Sequence, residues 1–254
     1  GPPLVMAANW MTHLELDAQG PIWRHWIAGF SKDRALLRYD QRGNGLSDRQ
    51  AAFTFDAYVA DLEAVADAAG LDRFDLIGLS QSASVAIAYA ARHPERVRRL
   101  LLVGGFARGW QARGDAEEIA RRQAMLTLTR DGWGLDNPAF RQLFTSLFLP
   151  DSDAATQTWF NELQRLTTSA ANAAAIQLAA ASIDVTELLP KVAAPTLIAH
   201  VQDDAMVPFD AGRALARAIP GARFLALEGR NHMLLEPDPA WPRFLAAAKA
   251  FLEC

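Results

Sequence analysis

The chain has 254 residues, 51% of them hydrophobic and 21% charged, which is enough for one sizeable core with an insertion and is not the composition of a disordered segment. Lys and Arg number 25 against 29 Asp and Glu, for a net charge of -4 without a basic stripe, so a nucleic-acid surface is not expected. No apolar run is long enough to span a bilayer and no charged-then-apolar leader is seen; the single cysteine, Cys254, excludes an internal disulfide framework or a cysteine-based zinc site and fits a reducing cytoplasm.

After Gly1-Pro2-Pro3, the apolar run 4–8 predicts a buried parallel strand, followed by a loop through Glu15 and a short helix over 21–30. A second strand over 35–40 runs into Gln41-Arg42-Gly43-Asn44-Gly45-Leu46-Ser47-Asp48, whose glycines mark a tight loop. Tyr58, Leu62, Val65 and Ala69 then recur at helical spacing as far as Gly70, a helix C-cap. Residues 74–92 pass from an apolar run through a small-residue turn into an Ala-rich amphipathic run with no room for a loop, which is a strand, a sharp turn and a helix. A serine at the tip of such a turn faces the start of the helix, where backbone N–H groups receive negative charge, so Ser80 is the candidate nucleophile. Gly78-Leu79-Ser80-Gln81-Ser82 departs from G-x-S-x-G at its last position, but serine is still small; the plainer reading is an ordinary turn whose serine caps the helix.

His93-Pro94-Glu95 ends that helix, and 100–105 is another buried strand, so strands alternate with helices as in a parallel sheet covered on both faces. From Phe106 to Val192 the alternation stops and the sequence reads as helical over 116–129, 138–149 and 154–181, broken at Asp131-Gly132 and Pro150. Trp110, Trp133, Phe140, Phe144, Phe148, Trp159 and Phe160 are more aromatics than a helical hairpin needs, and predict a lid over an apolar pocket, or else glue to the sheet. The expected division is therefore a core of 1–105 and 193–254 and a helical cap of 106–192. Strand 195–200 delivers Gln202-Asp203-Asp204, a helix covers 209–219, strand 223–227 delivers Gly229-Arg230-Asn231-His232, and an amphipathic helix over 241–252 closes the sequence.

Ser80, an aspartate of the 203–204 pair and His232 thus follow strand ends along one edge of a parallel sheet, where sites of such sheets lie. A serine hydroxyl needs an imidazole to take its proton, and the imidazole needs a carboxylate to fix its tautomer. With these residues and Asp40-Gln41-Arg42-Gly43-Asn44-Gly45-Leu46-Ser47, a D-x-R-G-x-G-x-S signature, the chain resembles the α/β-hydrolases from first strand to last helix. In Asn9-Trp10 and Gly78-Leu79-Ser80-Gln81-Ser82-Ala83 it is similar to hydrolase-like domains found alone or fused to cyclase and LuxR-type regulators. The resemblance implies a mostly parallel central sheet with helices on both faces, a helical cap inserted between two strands, and a triad of Ser80, Asp204 and His232. Asp204 is preferred to Asp203 because it stands four residues before Pro208, and Asp203 is expected to cap or pair with nearby backbone. Where many relatives have His-Gly this chain has Ala8-Asn9, so the backbone N–H groups of Trp10 and Gln81 are the expected oxyanion donors. The antiparallel pair that usually precedes the first strand is missing here, which implies a trimmed chain, a fragment, or an edge strand at 35–40 left uncovered.

The other histidines take plainer readings: His13 a local loop hydrogen bond, His25 and His93 helix positions, and His200 a buried strand residue. Asp40 and Arg42 are expected to pair and hold the glycine loop. No ligand spacing implies a metal, and no G-x-G-x-x-G or Walker loop implies a nucleotide. The sequence thus points to a cytoplasmic, cofactor-free serine hydrolase of a small, largely apolar acyl ester, thioester or lactone. Alternatives are C–C bond hydrolysis or perhydrolysis on the same scaffold, or a ligand-sensing domain that keeps the fold. Oligomeric state is open at this stage.

Overall fold

The structure, a computed structural model, describes residues 1–253, so Cys254 and the readings that rest on it lie outside the described residues. Apolar runs form six strands among them: β1 (Pro3–Met6), β2 (Ala35–Arg38), β3 (Phe74–Leu79), β4 (Val97–Val103), β5 (Thr196–Val201) and β6 (Arg223–Leu227). They make one sheet in the order β2-β1-β3-β4-β5-β6, with every neighbouring pair parallel and β2 on an edge. Parallel neighbours cannot be joined by tight hairpins, so each connection carries helices. These are α1 (Leu14–Gln19) and α2 (Arg24–Ser31) after β1, α3 (Phe55–Ala68) after β2 and α4 (Gln81–Arg92) after β3. Between β4 and β5 run α5 (Trp110–Arg113), α6 (Ala116–Gly132), α7 (Ala139–Phe148), α8 (Ala154–Thr167), α9 (Ala170–Ala181) and a 3-10 turn (Thr186–Lys191). Helices α10 (Phe209–Ala218) and α11 (Ala240–Glu253) follow β5 and β6.

The period of two along a strand divides the core between the two sheet faces. Leu4, Met6, Ile77, Leu101 and Leu197 pack with Trp26 and Phe30 of α2 and Trp241 and Phe244 of α11. Val5, Leu76, Leu100, Leu102 and Ile198 pack with Leu62 of α3, Ile87 of α4 and Leu215 of α10. A Val, Leu, Ile, Met or Phe side chain fully buried in this way contributes roughly 1.5–3 kcal/mol. At the N-terminal ends of the strands, the buried carboxylate of Asp75 accepts hydrogen bonds from Arg34 (2.5 Å) and Arg98 (2.8 Å to Nε), so its charge is compensated from both sides.

Several boundaries differ from the sequence expectation. The helical stretch expected over 154–181 breaks at Thr168, which is extended and donates its hydroxyl to Gly43 O (2.6 Å); Ser169 then caps α9 by accepting from Asn172 N–H (3.2 Å). The helix expected over 116–129 extends three residues further and ends at Gly132, within the expected break, where the absence of a side chain leaves room for the Phe140 ring. β4 begins at Val97, three residues earlier than expected, and the short α1 and α5 were not expected as separate helices. The helices between β4 and β5 have their own polar centre, since buried Arg141 donates to the carbonyls of Asn161 (3.0 Å), Trp133 (2.6 Å) and Leu135 (2.6 Å).

Candidate active site

Ser80 stands between β3 and α4 with φ 50° and ψ -121°, and together with Met11 is one of two non-glycine residues at positive φ among those described. That strained backbone is held in place by its surroundings. Ser80 N–H donates to Val103 O (2.9 Å) on β4, and at Gly78 any side-chain carbon would come within 2.7 Å of Ala83 Cα and Ser82 O. The helix therefore starts hard against the strand, and the serine is forced onto the tip of the turn.

The loops after β5 and β6 bring Asp204 and His232 together. His232 Nδ1 lies 2.6 Å from Asp204 Oδ2, and both side chains are buried. The other carboxylate oxygen, Oδ1, accepts from the backbone N–H groups of Met206 (2.8 Å) and Val207 (3.0 Å). Burial opposes charge on Asp204, but His232 and the Val207 amide outweigh it and hold the carboxyl below its ordinary range, so it is an anion at neutral pH. With Nδ1–H engaged by this anion, His232 Nε2 is the free lone pair; it is buried and has no hydrogen-bond partner among the described residues. The imidazole lies against β4, where a side-chain carbon at Gly104 would come within 3.1 Å of His232 Cε1; Gly104 directly follows the Val103 carbonyl that receives Ser80 N–H. Ser80 Oγ itself forms no hydrogen bond with His232, so the triad that the resemblance implies is hydrogen-bonded only in its Asp204–His232 half.

The long insertion also positions the histidine. His232 N–H donates to Phe148 O (2.8 Å), and the Phe148 ring meets the imidazole edge to face at 5.2 Å. In front of Ser80 is a pocket continuous with solvent, lined by Trp10, Gln81, Trp110, Phe144 and Phe148 among others. Trp110, Phe144 and Phe148 thus line this pocket, while Trp133 and Phe160 are buried outside it and Trp159 lines a separate surface groove near Leu16.

The backbone N–H groups of Trp10 and Gln81 are taken by no acceptor among the described residues. The Trp10 loop is pinned from outside itself: Met11 N–H donates to Asn44 Oδ1 (3.2 Å), and Leu14 N–H to Asp40 Oδ2 (3.1 Å), which also receives Leu46 N–H (2.9 Å). Arg42 pairs with Asp61 of α3 through two hydrogen bonds of 2.6 Å, correcting the expected Asp40–Arg42 pair. The Trp10 indole stacks on Trp133 at 5.7 Å and meets Phe144 at 5.9 Å, joining this loop to the inserted helices.

Sequence comparison now adds to this geometry. The profile of the alpha/beta hydrolase fold family matches residues 16–239. The chain belongs to that family. It is 33% identical over 196 residues to a pimeloyl-[acyl-carrier protein] methyl ester esterase of Neisseria meningitidis, covering 75% of this chain and 72% of that protein. It is 27% identical over 237 residues to a pyrrolizixenacetamide deacetylase of Xenorhabdus hominickii, covering 91% and 85%. A bromoperoxidase from Bacillus anthracis superposes with a TM-score of 0.84 at 22% identity, covering 100% of this chain and 92% of that one, a likeness of fold.

Other polar residues of this α/β-hydrolase serve its architecture. His200 Nε2 pairs with Val207 O (3.0 Å) and fastens the loop bearing Asp204; burial depresses its pKa, so it stays neutral and donates. His25 Nε2 and Trp26 Nε1 both meet Leu234 O, at 2.9 and 3.0 Å, and fasten the loop bearing His232. His13 accepts from Leu16 N–H (3.5 Å) at the start of α1, and His93 lies 3.6 Å from Glu63. Asp203 is exposed and its side chain bonds nothing among the described residues, so it does not cap as expected; only its N–H is engaged, with Gly229 O (3.2 Å). No helix of the described residues is long and apolar enough to cross a membrane, and no group of three or more possible metal ligands occurs among them.

Ser82, where the turn departs from glycine, is fully buried and its hydroxyl both accepts from Leu79 N–H and donates to Leu79 O, each at 2.9 Å. The extra side chain therefore staples the end of β3. Ser82→Gly is expected to keep kcat/KM for an ester within about tenfold while lowering Tm by roughly 3–8 °C, from a lost buried hydrogen-bond pair of about 1–3 kcal/mol. Thermal denaturation alongside ester kinetics checks this; a large gain in activity without loss of stability would mean that the serine distorts the turn.

Proposed function

We propose that this α/β-hydrolase is a cofactor-free serine hydrolase of a small, largely apolar acyl ester, with Ser80, His232 and Asp204 as its triad. The carrying observation is an imidazole fixed at Nδ1 by a buried carboxylate and left unpartnered at Nε2, together with a serine on a strained turn that lines the cavity. Ser80 Oγ attacks the substrate carbonyl as His232 Nε2 takes its proton. The Trp10 and Gln81 N–H groups receive the developing oxyanion, and the proton passes to the departing alkoxide. Water, deprotonated by the same imidazole, then frees the acid and restores Ser80. The Ser80–His232 hydrogen bond closes when substrate is bound, since catalytic hydrogen bonds are commonly loose without it. Residues 106–192 are the cap that shapes the acyl pocket, and 1–105 with 193–254 are the catalytic core. Thioesters and lactones present the same acyl carbon and fall within the proposal, and the cytoplasm is its proposed setting.

A second reading, a ligand-sensing domain, draws on the likeness of Asn9-Trp10 and residues 78–83 to regulator-fused domains. Covalent labelling of Ser80 by a fluorophosphonate, paired with turnover of p-nitrophenyl esters of short and medium acyl chains, separates the two.

A further inference from the structure

The cavity in front of Ser80 has a cationic wall that the acyl-transfer chemistry leaves unused. Its lining includes Arg113 and Arg122 but no Asp or Glu. Both guanidinium groups gather on one carboxylate: Arg113 donates to Glu118 through Nε (3.0 Å) and through Nη2, and Arg122 Nε lies 3.6 Å from Glu118 Oε1. Two cations therefore share a single anion, and their side chains are only 24% and 14% exposed, against 15% for Glu118. The protein's remaining acceptors do not exhaust them. Arg113 Nη1 donates to Arg108 O (2.9 Å), and Arg122 Nη2 to Met206 O (2.7 Å), with Nη1 3.3 Å from Met206 Sδ. A guanidinium carries five N–H donors, so each keeps at least one without an oxygen acceptor. Burial disfavours charge on Arg122, more than Glu118 restores it. A largely desolvated cation beside aromatic walls gains most from an anion that arrives with the ligand, and a guanidinium recognises a carboxylate through paired N–H bonds.

We propose that Arg113 and Arg122 form an anion subsite, and that the substrate is a carboxylate-terminated ester. Its acyl carbon meets Ser80 while its distant carboxylate meets the two arginines, as in the half-ester of a small dicarboxylic acid. This inference rests on the serine-hydrolase reading for its reaction but not for its binding. The aromatic walls hold the methylenes between the two ends, which reconciles an apolar pocket with a charged ligand.

The test compares methyl half-esters of the four- to eight-carbon linear dicarboxylic acids with methyl alkanoates of equal chain length, by proton release at constant pH. At the chain length that spans the cavity, kcat/KM is expected to favour the half-ester by at least about tenfold, the scale of a charge-assisted pair partly screened by solvent. Arg113→Gln is expected to remove most of that preference, and Arg113→Lys to restore part of it. Because Arg122 also binds the Met206 carbonyl, Arg122→Gln is read only as the ratio between matched substrates, with Tm measured in parallel. Calorimetric titration of the same half-ester into Ser80→Ala, with and without Arg113→Gln, reads binding without turnover, and an affinity loss of about tenfold is expected. If neutral esters are hydrolysed and no half-ester is preferred, or if the preference survives both arginine substitutions, the subsite is refuted and the hydrolase reading stands. If no ester is hydrolysed, Arg113-dependent half-ester binding supports the subsite alone, and its absence refutes it.

Discussion

Replacing either Ser80 or His232 by alanine is expected to lower kcat for a methyl or ethyl ester by about five to six orders of magnitude, with the double variant little worse than either single one. In the proposed mechanism the two groups act in one step. Without His232, the Ser80 hydroxyl has no base in reach; without Ser80, the imidazole has no nucleophile to deprotonate. An alkyl ester is the proper substrate because its leaving alkoxide needs the proton that His232 Nε2 carries, whereas p-nitrophenolate departs without one and hides half of the histidine's role. The activity left in each variant reflects the Trp10 and Gln81 N–H groups and the pocket. Steady-state kinetics of the three variants checks this; losses that multiply in the double variant would mean that the two side chains do not work as a unit.

Asp204→Asn is expected to lower kcat by about ten-thousandfold and Asp203→Asn by no more than a few-fold. An amide at 204 can still accept from the Met206 and Val207 N–H groups, which keeps the loop in place. It can also present an N–H to His232 Nδ1, turning the imidazole to the tautomer whose Nε2 carries a hydrogen and cannot take another. Asp203 is exposed and touches no part of this arrangement. Since the Asp204 carboxyl is held below its ordinary range, its ionisation persists throughout the working range and is lost only on strong acidification. Kinetics that ranked Asp203→Asn as the more damaging change would reassign the acid.

Much of this arrangement was legible because the decisive features are local. An apolar run meeting Gly78-Leu79-Ser80 and then an Ala-rich helix leaves the chain no other path, and strand ends place Asp204 and His232 on the same sheet edge. What stayed hidden depends on partners distant in sequence. Asn44, which pins the Trp10 loop through Met11 N–H, sits inside a recognised glycine loop but reads as a loop residue until the two segments meet. Arg42 finds Asp61 nineteen positions away rather than its neighbour Asp40. The break at Thr168 carries no proline or glycine; it arises because the Thr168 hydroxyl reaches Gly43 O, a contact between the inserted helices and the loop after β2. The early start of β4 was masked by Arg98 and Arg99, and Arg98 is tolerated there because buried Asp75 takes its charge. The subdivision of the aromatics had the same cause, since period and composition do not distinguish Phe148, which meets His232, from Trp159, which lines a separate groove near Leu16.

The most direct measurement is reaction of the folded protein with a fluorophosphonate, followed by peptide mapping. The phosphorus centre imitates the tetrahedral intermediate, so labelling needs a serine with a base beside it and N–H donors before it, which a helix-capping serine lacks. Stoichiometric labelling at Ser80, absent in Ser80→Ala and largely lost in His232→Ala, is the predicted result, together with turnover of short- and medium-chain p-nitrophenyl esters. Folded protein that takes up no label at Ser80 and turns over none of these esters would contradict the hydrolase reading and leave ligand sensing as the better account.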